Sequence, residues 1–172
     1  MPGGTLYVIV CAAEAGGEVV GLIDRAQGAG WAVQVVATPS ALDFLDIPAL
    51  ESSTGRPVRS RYRRPGEPKP PRPDAVIVAP ATFNTVNKFA LGITDTYALG
   101  LLAEAPGLGI PVVVVPFVNA ALASRAPFRR AVDGLRAEGV RVLLDTGDGE
   151  PRWEAALAAL AALTEDTGRY AP

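Results

Sequence analysis

Four short stretches constrain this chain more than any other feature: residues 5–11, 32–37, 75–79 and 110–115, with a weaker fifth at 140–144. Each is rich in valine, isoleucine or leucine, and most run continuously rather than alternating with polar residues. A strand with one wet face alternates; a continuous run marks a strand buried on both faces, as in a parallel sheet. Stretches of helical period separate the runs. Residues 18–27 carry Val19, Val20, Leu22, Ile23 and Ala26 at helical spacing and stop at Gly28 and Gly30. Further helices are expected at 82–90, at 95–105 with Asp95 or Thr94 as cap, at 128–138 and at 153–163. Strands alternating with helices imply right-handed crossovers and a sheet covered on both sides. The expectation is an α/β protein with one doubly wound parallel sheet in three α/β/α layers. It forms a single domain over residues 1–172, and its ligands sit beyond the carboxyl ends of the strands.

Composition then removes whole classes of chemistry. The chain has no histidine, which excludes His-based triads, His metal sites and an imidazole base. It has one cysteine, Cys11, so no intrachain disulfide and no thiolate zinc site can form. Cys11 ends an apolar strand and is read as a small packing residue. Trp31 and Trp153 open a strand and a helix and are read as core or interface anchors. No metal site is expected. A net charge of −2 gives no sign of nucleic-acid binding. No apolar run reaches the length of a spanning helix, and residues 6–13 lack the basic flank of a signal, so a cytoplasmic location is expected.

Residues 55–73 break the rhythm. This proline-rich stretch holds Arg56, Arg59, Arg61, Arg63, Arg64, Lys69 and Arg72 against Glu67 alone. Such a composition predicts an extended or mobile loop. It is read either as a solvated surface or as a basic lid for an anionic ligand.

Three turns carry the candidate chemistry. The first, Cys11-Ala12-Ala13-Glu14-Ala15-Gly16-Gly17, is small enough to bring backbone N–H groups to a phosphate. It is equally a tight turn with no ligand, and Glu14 would repel a phosphate if it pointed inward. The second offers the hydroxyls of Thr38 and Ser40, either to a phosphate or as a helix cap. The third packs neutral amides and hydroxyls into the start of a helix directly after a buried strand, in Ala79-Pro80-Ala81-Thr82-Phe83-Asn84-Thr85. A flavin pyrimidine edge wants such donors and acceptors, and its ring wants small neighbours.

This third turn resembles the signature of the homo-oligomeric flavin-containing cysteine decarboxylases. That family includes phosphopantothenoylcysteine decarboxylase and the peptide decarboxylases of lantibiotic synthesis. The matching elements are Ala79, Pro80, Ala81, Thr82, Asn84, Thr85, Lys88, Gly92, Ile93 and Asp95, and the order of elements agrees from about Thr5 to Arg152. The resemblance implies a Rossmann- or flavodoxin-like flavoprotein domain with FMN as cofactor. It implies Thr38, Ser40, Ala79, Pro80, Ala81, Thr82, Asn84, Thr85 and Asp95 around that cofactor, and a homo-oligomer, a trimer or a multiple of one. In that family the flavin oxidises a substrate cysteine to a thioaldehyde-like species, which then loses carbon dioxide.

The chain also departs from that pattern. Where the family carries a histidine in a short helix before the third strand, residues 67–73 read Glu-Pro-Lys-Pro-Pro-Arg-Pro, which should not form a helix. The family's Pro-x-Met-Asn-x-x-Met-Trp substrate motif is matched only by Pro116 and Asn119. Asn119 is the candidate catalytic residue, as a grip on a carboxylate or amide, or else a helix cap. Thr146 stands where the pantothenate-pathway members have a clamp cysteine, and Ala12-Ala13-Glu14 stands where the family has Gly-Ser-Ile. The functions left open are an FMN-dependent oxidoreductase or decarboxylase with a changed pocket for a peptide or small thiol, a non-catalytic flavin-binding module or partner subunit, and a flavin prenyltransferase-like enzyme. The apolar stretches 83–89 and 116–122 are expected to suit a subunit contact.

Overall fold

The computed structural model describes residues 3–14, 18–144 and 152–166. Its strands are β1 (Thr5–Val10), β2 (Ala32–Ala37), β3 (Ala75–Ala81), β4 (Val112–Pro116) and β5 (Arg141–Val142). All pair in parallel, in the order β2-β1-β3-β4-β5. From β1 the chain steps outward to β2, then returns past β1 to β3 and continues the other way. With right-handed crossovers, this reversal places the connections on opposite faces and opens a crevice between β1 and β3 at their carboxyl ends.

The helices are α1 (Val19–Gly28), α2 (Ile47–Thr54), α3 (Phe83–Ala90), α4 (Tyr97–Glu104), α5 (Ala120–Ala123), α6 (Ala126–Ala137) and α7 (Trp153–Asp166). Two-residue periodicity divides each strand between two cores. Leu6, Val8, Val10, Val35, Ile77 and Val113 pack against Leu22 and Ile23 of α1 and Trp153 and Leu160 of α7. Tyr7, Ile9, Val76, Val78 and Val114 pack against Val86 of α3, Leu102 of α4 and Phe128 and Leu135 of α6. Continuous apolar runs are therefore what a sheet with two dry faces requires. Each fully buried aliphatic side chain contributes about 1.5–3 kcal/mol relative to exposure. Trp31 and Trp153 are both core residues.

The edges differ from expectation in physically readable ways. Helix α4 starts at Tyr97, capped by Thr96, whose hydroxyl accepts the Leu99 N–H at 3.2 Å. Neither Thr94 nor Asp95 is the cap. Gly92, at φ +70°, turns the chain out of α3, and the Asp95 carboxylate is taken by Lys88. Helix α6 begins at Ala126, two residues early, because Pro127 is preset for a first turn. The helix that Thr38 or Ser40 was expected to cap is instead a 3₁₀ turn at Pro39–Phe44, and helix α2 follows it with Asp46 as its cap. The signals for α2 were Asp46, which accepts the Ala49 N–H at 3.1 Å, and Gly55, which closes the helix at φ +67°. Among the described residues, no helix is long and apolar enough to cross a membrane.

Residues 55–73 form no helix, as the prolines dictate, but they are seated on the protein as a strap. Arg59 pairs in parallel with Val36 at the free edge of β2, through Arg59 N–H to Val35 at 3.1 Å and Ala37 N–H to Arg59 at 2.8 Å. Gln34, buried, donates to the Pro57 carbonyl at 2.8 Å. The Tyr7 hydroxyl donates to the Pro71 carbonyl at 2.6 Å. Tyr62 meets Tyr97 edge to face at 5.1 Å, and its hydroxyl lies over Gly100, only 2.0 Å from where a Cβ would stand. Arg61 pairs with Glu67 at 2.8 Å. The strap thus covers the edge of β2, which would otherwise be open to pairing.

Candidate functional site

The carboxyl ends of four adjacent strands, β2, β1, β3 and β4, are tied together by backbone hydrogen bonds. Cys11 N–H donates to the Pro80 carbonyl at 3.1 Å, Phe117 N–H to the Ala81 carbonyl at 2.8 Å, and Thr38 N–H to the Val10 carbonyl at 3.0 Å. The Ala79–Pro80 peptide is cis. Ala79, Pro80 and Ala81 are buried and complete β3, which passes into α3 with only Thr82 between.

Thr82 is the pivot of this junction. Its hydroxyl accepts the Thr85 N–H at 3.2 Å, capping α3, and donates to the Thr85 hydroxyl at 3.1 Å. Thr85 is buried and also accepts the Cys11 S–H at 3.3 Å. Burial pushes the Cys11 thiol above its ordinary pKa, which keeps it a protonated packing residue. The Thr85 hydroxyl is therefore committed inside the protein, while Asn84 stands exposed at the first turn of α3.

Above this junction lies an open cleft of about 480 Å³. Ala12, Ala13 and Glu14 line one wall, and Thr82, Phe83 and Asn84 the middle. Phe117, Val118, Asn119 and Leu122 line the far wall. The Asn119 side chain accepts the Leu122 N–H at 2.9 Å and caps α5, so its oxygen is used while its amide nitrogen has no partner among the described residues. Phe83 stacks on Phe128 with centroids 5.9 Å apart, which braces the start of α3 against α6.

Of the residues singled out from the sequence, Thr82, Asn84 and Asn119 meet in the cleft, with Ala79, Pro80, Ala81 and Thr85 in the layer beneath. Thr38 and Ser40 stand at the end of neighbouring β2, outside the lining. The Thr38 side chain makes no capping bond to the 3₁₀ turn. Asp95 lies outside the lining too, paired with Lys88. The 83–89 stretch is not an exposed apolar surface, because Val86 and Phe89 belong to the core. The clamp-like residues Thr146 to Glu150 lie outside the described residues. Phe83, Val118 and Leu122, from the two apolar stretches expected to suit a subunit contact, line the cleft instead, and no local sequence signal marks that role. A further polar group without a sequence signature lies beneath the strap, where Tyr7, Tyr97 and Arg59 meet. Burial, reinforced by the neighbouring Tyr97, pushes the Tyr7 phenol up to about 12 despite the opposing charge of Arg59.

A parallel, doubly wound sheet of this strand order, with a cleft at its switch point, defines an α/β protein of the flavodoxin-like class. The chain belongs to the Flavoprotein family, whose profile matches residues 2–169. Its fold is shared with the FMN-dependent cysteine decarboxylase SpaF, at 24% identity and a TM-score of 0.79 over 94% of this chain and 97% of that one. It is also shared with the FMN-dependent cysteine decarboxylase TvaF from thioviridamide biosynthesis, at 26% identity and 0.76 over 95% and 99%. The coenzyme A biosynthesis bifunctional protein CoaBC of Thermococcus kodakarensis is 27% identical over 143 residues, or 79% of this chain and 34% of that protein. The chain thus spans about a third of the length of that relative.

Proposed function

We propose that the chain binds a flavin, FMN in the first instance, in the cleft at the ends of β1, β3 and β4, and that it carries out an oxidative step on a thiol or carboxylate substrate, either a peptide or a small molecule. The observation that carries this is the β3–α3 junction. Thr82 fixes the start of α3 so that Asn84 faces an open cleft with the small Ala12 and Ala13 opposite. Neutral amides suit the pyrimidine edge of an isoalloxazine, and the alanines with Phe117, Val118 and Leu122 suit its apolar ring. When bound, the flavin supplies electron acceptance, which no side chain can. The chain's own residues then bind and orient: Asn84 and Thr82 at the ring, and the amide nitrogen of Asn119 toward a substrate carboxylate. The cysteine decarboxylases SpaF and TvaF, which share the fold, point to cysteine as the reacting group. Exposed Leu91, Ile93 and Phe117 favour a homo-oligomer, a trimer by analogy with the family, and sedimentation should then give three times 17.8 kDa.

A second reading, a flavin-binding module without decarboxylase activity, has one observation in its favour. Among the described residues Glu14 is the sole ionisable side chain lining the cleft. With no histidine in the chain, a reaction there has little acid–base support, a contribution of about 10²–10⁴ in rate. A prenyltransferase-like role gains no support, since none of the strap's basic residues lines the cleft. Anaerobic mixing of the flavin-loaded protein with a peptide ending in cysteine separates the first two. Bleaching of the visible band with release of carbon dioxide supports the oxidative reading. A bound flavin that stays oxidised supports the module.

A further inference from the structure

We propose that Glu14 sets which flavin this cleft prefers: it opposes the phosphate of FMN and leaves the uncharged chain end of riboflavin untouched. The two flavins should then bind with nearly equal affinity. This rests on the flavin reading above and concerns only the charged end of the ligand.

Among the described residues the cleft lining contains one charge: it has no lysine and no arginine, and Glu14 is its one acid. Glu14 is exposed and has no ion-pair partner among the described residues. In sequence the next residues, Ala15-Gly16-Gly17, bring no charged side chain, and Glu18, ahead of α1, is a second acid. No described cation lines the cleft. Lys88 is paired with Asp95, Arg61 with Glu67, and the strap's guanidinium groups lie outside the lining. Part of the usual backbone donor set is also spent, because the Thr85 N–H at the start of α3 already goes to Thr82. The ring and ribityl portions of a flavin therefore fit the neutral walls, while a phosphate meets an acid and no cation, wherever in the cleft it lies.

The size of the effect follows from charge. A phosphate monoester carries about −1.5 to −2 near neutral pH. Repulsion by one carboxylate through water, at the roughly 6–8 Å such a cleft allows, weakens binding about three- to tenfold at low salt. Salt screens the repulsion, so added salt should tighten FMN in the wild type. That is the reverse of what a cationic phosphate site would show.

The test is parallel titration of the purified chain with FMN and riboflavin, followed by fluorescence quenching at pH 8 and low salt, for wild type, Glu14→Gln and Glu14→Lys. The expected result is wild-type affinities within about threefold of each other. FMN should tighten about three- to tenfold in Glu14→Gln and further in Glu14→Lys, with riboflavin within twofold throughout. Uptake of FMN by Glu14→Lys alone would also support the proposal. A wild-type preference for FMN of thirtyfold or more, or variants that leave the FMN affinity unchanged, would overturn it while leaving the flavin reading standing. Failure of all three proteins to bind either flavin would overturn both.

Discussion

Replacing Thr82 with alanine removes the group that joins β3 to α3. The lost cap costs about 1 kcal/mol, since the Thr85 N–H at 3.2 Å has no other helical partner. The second loss is the hydrogen bond at 3.1 Å to the Thr85 hydroxyl, which is buried and keeps only the Cys11 thiol as partner. That adds about 1 kcal/mol. Together the change is about 2 kcal/mol, or about 4–8 °C in melting temperature for a domain of this size. Thr82→Ser keeps the hydroxyl and should recover more than half of the loss. The assay is thermal unfolding of the flavin-free protein followed by circular dichroism, so that ligand linkage does not enter. A Thr82→Ala melting temperature within 1 °C of wild type, or a serine variant no better than alanine, would refute the reasoning that this hydroxyl holds the site together.

Three further outcomes are expected. Gly100→Ala should be neutral or destabilising in the wild type, because its Cβ displaces the Tyr62 hydroxyl, but stabilising by up to about 1 kcal/mol in a Tyr62→Ala background. Equal effects in both backgrounds would deny the strap its seat on α4. The Arg61 hydrogen bond first, and the Arg64 backbone N–H second, hold the Glu67 carboxyl down to about 2. The folded pKa lies below the ordinary value of 4.5, so the contribution is full above that value and is lost as pH falls toward 2. Limited proteolysis of residues 55–73 should accelerate over that window, and Glu67→Gln should abolish the dependence. Cys11 should resist a thiol reagent in the native protein and react fully on unfolding, because it is buried against Thr85.

The strands were readable because both faces of the sheet are dry, so nothing interrupts the valine-rich runs. Even Pro80 completes β3, at the end of the strand where chain N–H groups are no longer needed on both sides. The β3–α3 turn was readable because its capping residue and amides are adjacent in sequence. Other features depend on partners far apart. The strap's seat joins Tyr62 to Gly100 and Tyr7 to Pro71, and no local period records either pair. The start of α4 was misplaced because Thr94, Asp95 and Thr96 are all competent caps, and only the pairing of Asp95 with Lys88 decides among them. Nor could the sequence show that Glu14 stands alone, since that required knowing that every arginine of the strap lies outside the cleft.

The central claim is that the cleft above Thr82 and Asn84 holds a flavin, and a visible absorption titration of the purified protein with FMN tests it most directly. The account predicts a perturbed oxidised-flavin spectrum that saturates at one flavin per chain and is lost or strongly weakened in Asn84→Ala, with the melting temperature of the flavin-free variant unchanged. A protein that stays colourless after FMN and riboflavin, or one whose flavin binding is indifferent to Asn84, would contradict it.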